Sequence, residues 1–321
     1  MQQGKKNNPI DDCRNHKIRT KPLVEIYSEL SMDSKAARIA QCGTDVQVRW
    51  YQETDHREIH RANFCKAPLC VTCAWRRSKK IYGQLSQVMD AVGSGYKFIF
   101  LTLTIRNMPS CDLVSALDEM LKAFHALCHR KEFKSIILGW FRTLEITHNW
   151  EADTYHPHLH VVLMVTEKYA EKGSDYLPFE WWQDTWQDCL GINYKPMIRI
   201  ESIKPSVINS DYASAVREVT KYVSKVSDYL APKKVSEEKR HKLSVDAVRT
   251  LDEAIHSRRL VAFGGKFKEL HKRLGLDDPI NGDLADKQKL RTDLTYVIEC
   301  YHWYSDESNY KKIMVLDKHL E

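Results

Sequence analysis

The stretch TYHPHLHVVLMV, residues 154–165, sets His156, His158 and His160 at every second position and runs straight into five apolar residues. An extended chain turns successive side chains to opposite faces, so His158 and His160 share one face while Leu159 and Val161 point into the opposite layer. Pro157 places His156, of the same parity, at the strand's entrance, as a bystander or an outer partner. A single strand histidine is most often a structural residue satisfied by hydrogen bonds. Two imidazoles on one face, however, can share one ion.

The preceding stretch RTLEITHN reads as a strand, joined to the histidine strand by the polar loop WEADTY. Antiparallel pairing of the two brings Glu145 towards the imidazoles. Two histidines and a glutamate with open positions suit Mg²⁺ or Mn²⁺ when a substrate supplies phosphate oxygens, and ligand type also admits Zn²⁺.

The chain of 321 residues is long enough for more than one domain, and its formal net charge of +6 suits an anionic partner without requiring one. The polar start has no apolar stretch of signal-peptide length, and nowhere do eighteen uncharged apolar residues run together. A soluble cytoplasmic protein with no membrane partner is therefore expected. Nine cysteines, odd in number and unevenly spread, fit reduced thiols and metal ligation better than a disulfide framework.

Hydrophobic periodicity divides the rest. GYKFIFLTLTIRN reads as a strand ended by Pro109; a helix follows with Leu113, Leu117, Leu121, Phe124 and Leu127 at helical spacing. After the two strands already described, FEWWQDTWQDCLG reads as a helix capped by Gly191, INYKPMIRIESIK as a strand, and SDYASAVREVTKYVSKVSDYL as a helix ending before Pro232. The order predicts an α+β fold with an antiparallel sheet and flanking helices, of split βαβ type. Four sections are expected: a flexible segment over 1–40, a cysteine-rich and basic segment over 41–94, a sheet domain over 95–231, and a mostly helical region over 232–321.

In REVTKYVSKVSDYL, Glu218, Tyr222 and Lys225 fall at spacings of four and three, on one broad helical face. Helical tyrosines are usually packing residues and Glu–Lys pairs usually solvated, but phosphoryl transfer gives all three a task. A phenol can attack a phosphodiester when a metal neutralises the phosphate and aligns the 3′ leaving oxygen. Glu218 can then activate water for release, and Lys225 can offset phosphate charge.

CKAPLCVTC supplies Cys65, Cys70 and Cys73, with the close spacing of zinc knuckles. Cys42 is the first candidate for a fourth ligand and His60 the second. The cluster would be a structural Zn²⁺ site holding AWRRSKK, whose Arg76, Arg77, Lys79 and Lys80 are candidate phosphate contacts and whose Trp75 can stack or pack.

FLTLTIRN, HPHLHVVL and REVTKYVSKVSDYL, in this order, resemble the three motifs of plasmid rolling-circle replication initiator (Rep) proteins of the Gram-positive type, within the HUH endonuclease superfamily. HRANFCKAPLCVTCAWRRSKK and FGGKFKELHKRLGLDD extend the resemblance over most of residues 40–285. The resemblance implies the HUH fold, with the histidine motif on a central strand facing the tyrosine helix. It makes His158 and His160 metal ligands together with Glu145, Tyr222 the single nicking tyrosine with Tyr229 as alternative, and Glu218 the residue of hydrolytic termination. FLTLTIRN itself supplies a core strand of β-branched residues and is scaffolding first, with Thr102 or Thr104 able to reach the DNA or the site.

The implied activity is nicking of a double-strand origin through a 5′-phosphotyrosyl intermediate, leaving a free 3′-hydroxyl primer. The implied partners are double- and single-stranded plasmid origin DNA and the host replication helicase and polymerase. A homodimer is left open, since one tyrosine serves one covalent end at a time. A relaxase or single-tyrosine transposase would share this chemistry; a nonenzymatic, zinc-stabilised DNA-binding protein would not.

Overall fold

The histidine stretch is a strand, Thr154–Thr166, in the middle of a five-stranded sheet. This is seen in a computed structural model that describes residues 8–170, 176–203, 216, 220, 226–232, 236–286 and 294–317. The chain opens with helices α1 (Pro9–Ile18), α2 (Lys21–Glu29) and α3 (Asp33–Ala40), strands β1 (Asp45–Tyr51) and β2 (His56–Ala62), and helix α4 (Val71–Asp90). Strand β3 (Tyr96–Thr104), helices α5 (Ser110–His129) and α6 (Lys131–Ile136), and strands β4 (Gly139–Asn149) and β5 (Thr154–Thr166) follow. Next come helices α7 (Glu167–Ala170) and α8 (Phe179–Leu190), strand β6 (Ile198–Ile203), and helices α9 (Val226–Tyr229) and α10 (Glu237–Ile255). Strand β7 (Val261–Gly264), helix α11 (Gly265–Arg273), and strands β8 (Tyr296–Tyr304) and β9 (Asn309–Asp317) complete the described elements.

Two compact units emerge. One comprises Met1–Lys80 with Asn281–Glu321, the other Ile81–Ile280. Each holds an antiparallel sheet, ordered β2-β1-β8-β9 in the first and β6-β3-β5-β4-β7 in the second, so the expected α+β class with antiparallel sheets and helices holds.

In the second unit, β5 is buried on both faces: Leu159, Val161, Val162, Leu163 and Met164 are all fully buried. Beneath it, Leu113, Leu117, Met120, Phe124 and Leu127 form the buried stripe of α5. Phe124 meets the Trp140 ring edge-on at 5.0 Å, and that indole lies over Gly264 so closely that a Cβ there would stand 2.1 Å from it. Helix α8 ends at Gly191 with φ of 65°, the left-handed cap that glycine adopts without steric cost.

The opposite sheet face changes character along its strands. At one end Phe98 packs on Phe267 of α11 and Phe141 on Phe263. Towards the other, the same alternation places threonine, glutamate and histidine on that face, most of them buried.

Three sequence expectations are corrected in the first unit. Residues 9–40, expected to be flexible, form three helices. The Asn8 side chain caps the first by accepting from the Ile10 amide, with Pro9 next and Asp11 and Asp12 in the first turn, and Leu23, Ile26, Tyr27 and Ile39 are buried. The region after 232, expected to be mostly helical, ends in the hairpin β8–β9. Its strand β8 pairs with β1, so the chain's two ends build one sheet, and the four sequential sections reduce to two units.

Candidate functional site

The histidine site lies on the polar half of the second unit's sheet. His158 sits directly across from Glu145 on β4 and from Thr104 on β3; His160 sits across from Thr143 and Thr102. Cross-strand partners share a face, so all six side chains project to one side. The His158 and His160 rings are nearly parallel with centroids 5.9 Å apart, and His156 follows at 4.2 Å from His158.

His160 is held at both nitrogens. Nε2 lies 2.7 Å from Glu145 Oε2 and Nδ1 lies 3.3 Å from Thr102 Oγ1, while the ring stacks on Phe100 at 5.8 Å. Side-chain exposures of 11% for His160 and 8% for Glu145 make this a well-shielded pair, whereas His158 is half-buried. Burial lowers the pKa of His156, favouring a neutral ring.

The His160–Glu145 contact alone has a spacing that suits a metal; among the described residues only the four cysteines gather three or more such ligand atoms within 4.8 Å of one another. An octahedral ion with bonds of about 2.1 Å requires adjacent donors about 3 Å apart, close to the observed imidazole–carboxylate separation. Nε2 of His160 and an oxygen of Glu145 are the donors so placed, and His158, opposite Glu145 in the register, would have to bring a ring nitrogen closer to join them. A histidine pair and a carboxylate also leave other coordination positions for a substrate's oxygens.

The expected nucleophile is not open to the same description. Tyr222, Glu218 and Lys225 lie outside the described residues. Around them, the Thr220 amide donates to the Val216 carbonyl at 3.0 Å, a helical i to i−4 bond, and both residues are buried. Downstream, Trp150 donates to the Ser227 carbonyl at 2.8 Å, which ties α9 to the hairpin between β4 and β5. Tyr229, the alternative tyrosine, is only 1% exposed and so poorly placed to meet a polymer.

In the first unit Cys42, Cys65, Cys70 and Cys73 bring their sulfurs within 4.8 Å of one another. The Cys42–Cys73 and Cys65–Cys73 separations are 3.3 and 3.6 Å, against about 3.8 Å for the edge of a tetrahedral Zn–S₄ site built from bonds of about 2.3 Å. Two backbone amides also donate to sulfur, Cys65 to Cys42 and Lys66 to Cys73. The residues present fit a tetrahedral metal such as zinc.

Cys42 rather than His60 completes the set. The His60 ring is taken up instead by the Arg49 guanidinium at 2.7 Å from Nδ1. In the bare cluster the hydrogen bond with Cys42 holds the Cys65 thiol well below its usual pKa and raises that of Cys42, as expected of sulfurs sharing protons where a cation would replace them. Lys17 ties the knuckle's backbone by donating to the carbonyls of Ala40 and Cys42, and Arg77 by donating to those of Lys66 and Pro68.

That bonding corrects two expected DNA contacts. Arg76 and Arg77 are 2% and 5% exposed: Arg76 pairs with Asp286 at 2.7 Å and donates to the Leu284 carbonyl, and Arg77 braces the cysteine loop. Their guanidinium groups satisfy buried partners rather than facing a polyanion. Lys79 remains exposed, pairing with Asp12 at 3.4 Å over the Trp75 ring, and Lys80 is half-buried and donates to the Asp283 carbonyl. Trp75 packs, stacked on His16 at 4.5 Å.

One cation near the histidines was missed. Arg199 on β6 is paired with Thr102, which is paired with His160, so it stands on the same face two strands away and is exposed, forming an ion pair with Glu201. Alternation within IRIES was a usable signal for its face, but only the register could align it with the histidines.

Taken together, this is an α+β protein with one four-thiol cluster able to hold a metal ion and a second, imidazole–carboxylate site on a sheet face. The chain belongs to the Rep_1 family, described as replication protein, which it matches over residues 56–311, in agreement with its resemblance to plasmid Rep initiators. It is 35% identical over 295 residues to "Protein rep" of Bacillus amyloliquefaciens, covering 85% of each chain. It is 34% identical over 278 residues to "Protein rep" of Streptococcus pneumoniae serotype 2, covering 85% of this chain and 82% of the relative. A "Replication protein" of Staphylococcus aureus is 31% identical over 239 residues, 73% of this chain and 96% of the relative. No solved structure matches. No described helix is long and apolar enough to cross a membrane.

Proposed function

We propose that this chain initiates plasmid rolling-circle replication by nicking one strand at a double-strand origin, and that the five-stranded sheet is its HUH endonuclease core. The observation that carries the reading is the His160–Glu145 contact at 2.7 Å, with His158 opposite Glu145 on the same polar face, in a replication-family chain. A divalent ion such as Mg²⁺ or Mn²⁺ bound there would neutralise nonbridging phosphate oxygens and polarise the leaving 3′ oxygen.

The chain's own residues do the rest. Thr102 and Phe100 fix the His160 ring, so that Nε2 stays aimed at Glu145. The Tyr222 hydroxyl attacks phosphorus: the O–P bond to tyrosine forms, the P–O3′ bond breaks, the phenolic proton passes to solvent, and the 3′ oxygen leaves as a hydroxyl after taking a proton. Glu218 acts as base for a water that later hydrolyses the phosphotyrosine, and Lys225 and Arg199 offset phosphate charge. The free 3′-hydroxyl primes the host polymerase behind a helicase, while Cys42, Cys65, Cys70 and Cys73 would hold a structural Zn²⁺ that cross-links the first unit. Lys79 and Lys80 contribute to duplex binding, and a second copy can supply a further tyrosine.

A labelled single-stranded origin oligonucleotide incubated with Mn²⁺ should give a cleaved product and a slower, protein-linked band, both abolished by EDTA. Duplex binding without cleavage under any divalent ion would instead indicate a nonenzymatic DNA-binding protein.

A further inference from the structure

Beside the entrance of the histidine strand lies a cleft of about 440 Å³, lined by the loop after β3, the first turns of α5 and the segment after α8. Its aromatic wall is Tyr194. The Arg106 guanidinium lies 4.4 Å from the centre of that ring, and the Arg106 amide donates to the Tyr194 hydroxyl at 3.1 Å. Asp112, Ser115 and Glu119 contribute polar edges from α5.

The cleft is fastened to the histidine strand. Met108 and Tyr155 exchange two backbone hydrogen bonds, at 3.0 and 2.8 Å, and Asn107 donates to the Thr154 hydroxyl at 3.2 Å. Tyr155 precedes His158 by three residues, or about 10 Å at the rise of a strand, a reach suited to a nucleotide close to the metal site. Thr104, opposite His158, donates to the carbonyl of Met197, an exposed residue.

The lining selects the occupant's chemistry. Two carboxylates beside a single guanidinium disfavour a phosphate, but they are good acceptors for N–H groups, and a tyrosine under an arginine offers a flat surface for stacking. The size falls within the usual range for small-ligand pockets.

We propose that this cleft binds one unpaired nucleobase of the single-stranded substrate, stacked against Tyr194 and Arg106, with its exocyclic amino group donating to Asp112 or Glu119. It therefore accepts cytosine, adenine or guanine in preference to thymine, whose one ring donor, N3–H, is flanked by two carbonyl oxygens that repel a carboxylate. The inference rests on the reading of the histidine face as a site for single-stranded DNA. It adds a base-selective subsite beside that face.

The test is equilibrium anisotropy of the full chain with fluorescein-labelled oligodeoxycytidylate and oligothymidylate of equal length, without divalent ions. The parent protein should bind the cytidylate at least about fivefold more tightly, and Tyr194→Ala or Arg106→Ala should weaken it about tenfold while Tyr194→Phe retains most of the affinity. The combined Asp112→Asn and Glu119→Gln substitution should bring the cytidylate down to the thymidylate. Circular dichroism checks that each variant is folded. Unchanged cytidylate affinity in both alanine variants overturns the proposal, as does an equal loss on the two oligonucleotides. Because no cleavage is involved, a Tyr194-dependent cytidylate preference in a chain that never nicks would leave the cleft standing and remove only the nicking reading.

Discussion

The four cysteines and the histidine face gather possible ligands in opposite ways. Cys42, Cys70 and Cys73 are buried, their loop is braced by the buried Lys17 and Arg77, and four sulfurs within 4.8 Å of one another would fill a tetrahedral ion's coordination, leaving no place for a substrate. The histidine face supplies three nitrogen and oxygen donors from two neighbouring strands, with threonines around them and half-buried His158 at its open end. Soft, closed sets maintain a fold; harder, incomplete sets leave room for chemistry. On the proposed reading, one chain separates the task of holding shape from that of acting on a phosphate.

The sharpest break between the two regions should come from exchanging their losses. His160→Ala should lower Mn²⁺-dependent cleavage by about a hundred- to a thousandfold, with the zinc content by elemental analysis unchanged. Cys73→Ala should do the reverse in kind: loss of bound zinc and destabilisation of the first unit by about 3 kcal/mol or more, read as a lower-temperature unfolding transition. A variant of either sort that disturbed both readouts equally would show that the two sites are not separable.

A smaller effect tests the scaffold under the histidines. Gly264→Ala forces a Cβ into the Trp140 indole at 2.1 Å and should cost about 1–3 kcal/mol in urea denaturation, whereas Gly83→Ala, with nothing within 4 Å, should not. The smallest effect expected is on pH. Burial lowers the pKa of His148, so the unfolded chain binds its proton first. The folded state therefore keeps this contribution above about pH 6.5 and loses it as pH falls through that value, and His148→Gln should flatten the slope of urea midpoint against pH between about 7.5 and 5.5.

How much of this was written locally varies between the regions. The histidine strand was legible because a period of two in a buried strand fixes parity whatever the partner, and Glu145 followed from one short hairpin. The pairing of Cys42 with the later cysteines was also accessible, since thiols at knuckle spacing require a fourth ligand. Arg76 was not: its partners Leu284 and Asp286 lie more than two hundred residues away, so a basic helix read as a row of phosphate contacts when two of its cations were internal struts. The hairpin of β8 and β9 carried the alternation of aromatic and β-branched residues in YVIECYHWY, but its role appears only once β8 pairs with β1. The first three helices are short, and tertiary burial rather than local pattern stabilises them.

The most direct measurement is mass spectrometry of the protease-digested adduct formed between the chain and a single-stranded origin oligonucleotide in Mn²⁺. The account predicts a nucleotide linked through its 5′ phosphate to the peptide containing Tyr222, absent in Tyr222→Phe and in His160→Ala. An adduct on another residue, or one that persists in Tyr222→Phe, would contradict it.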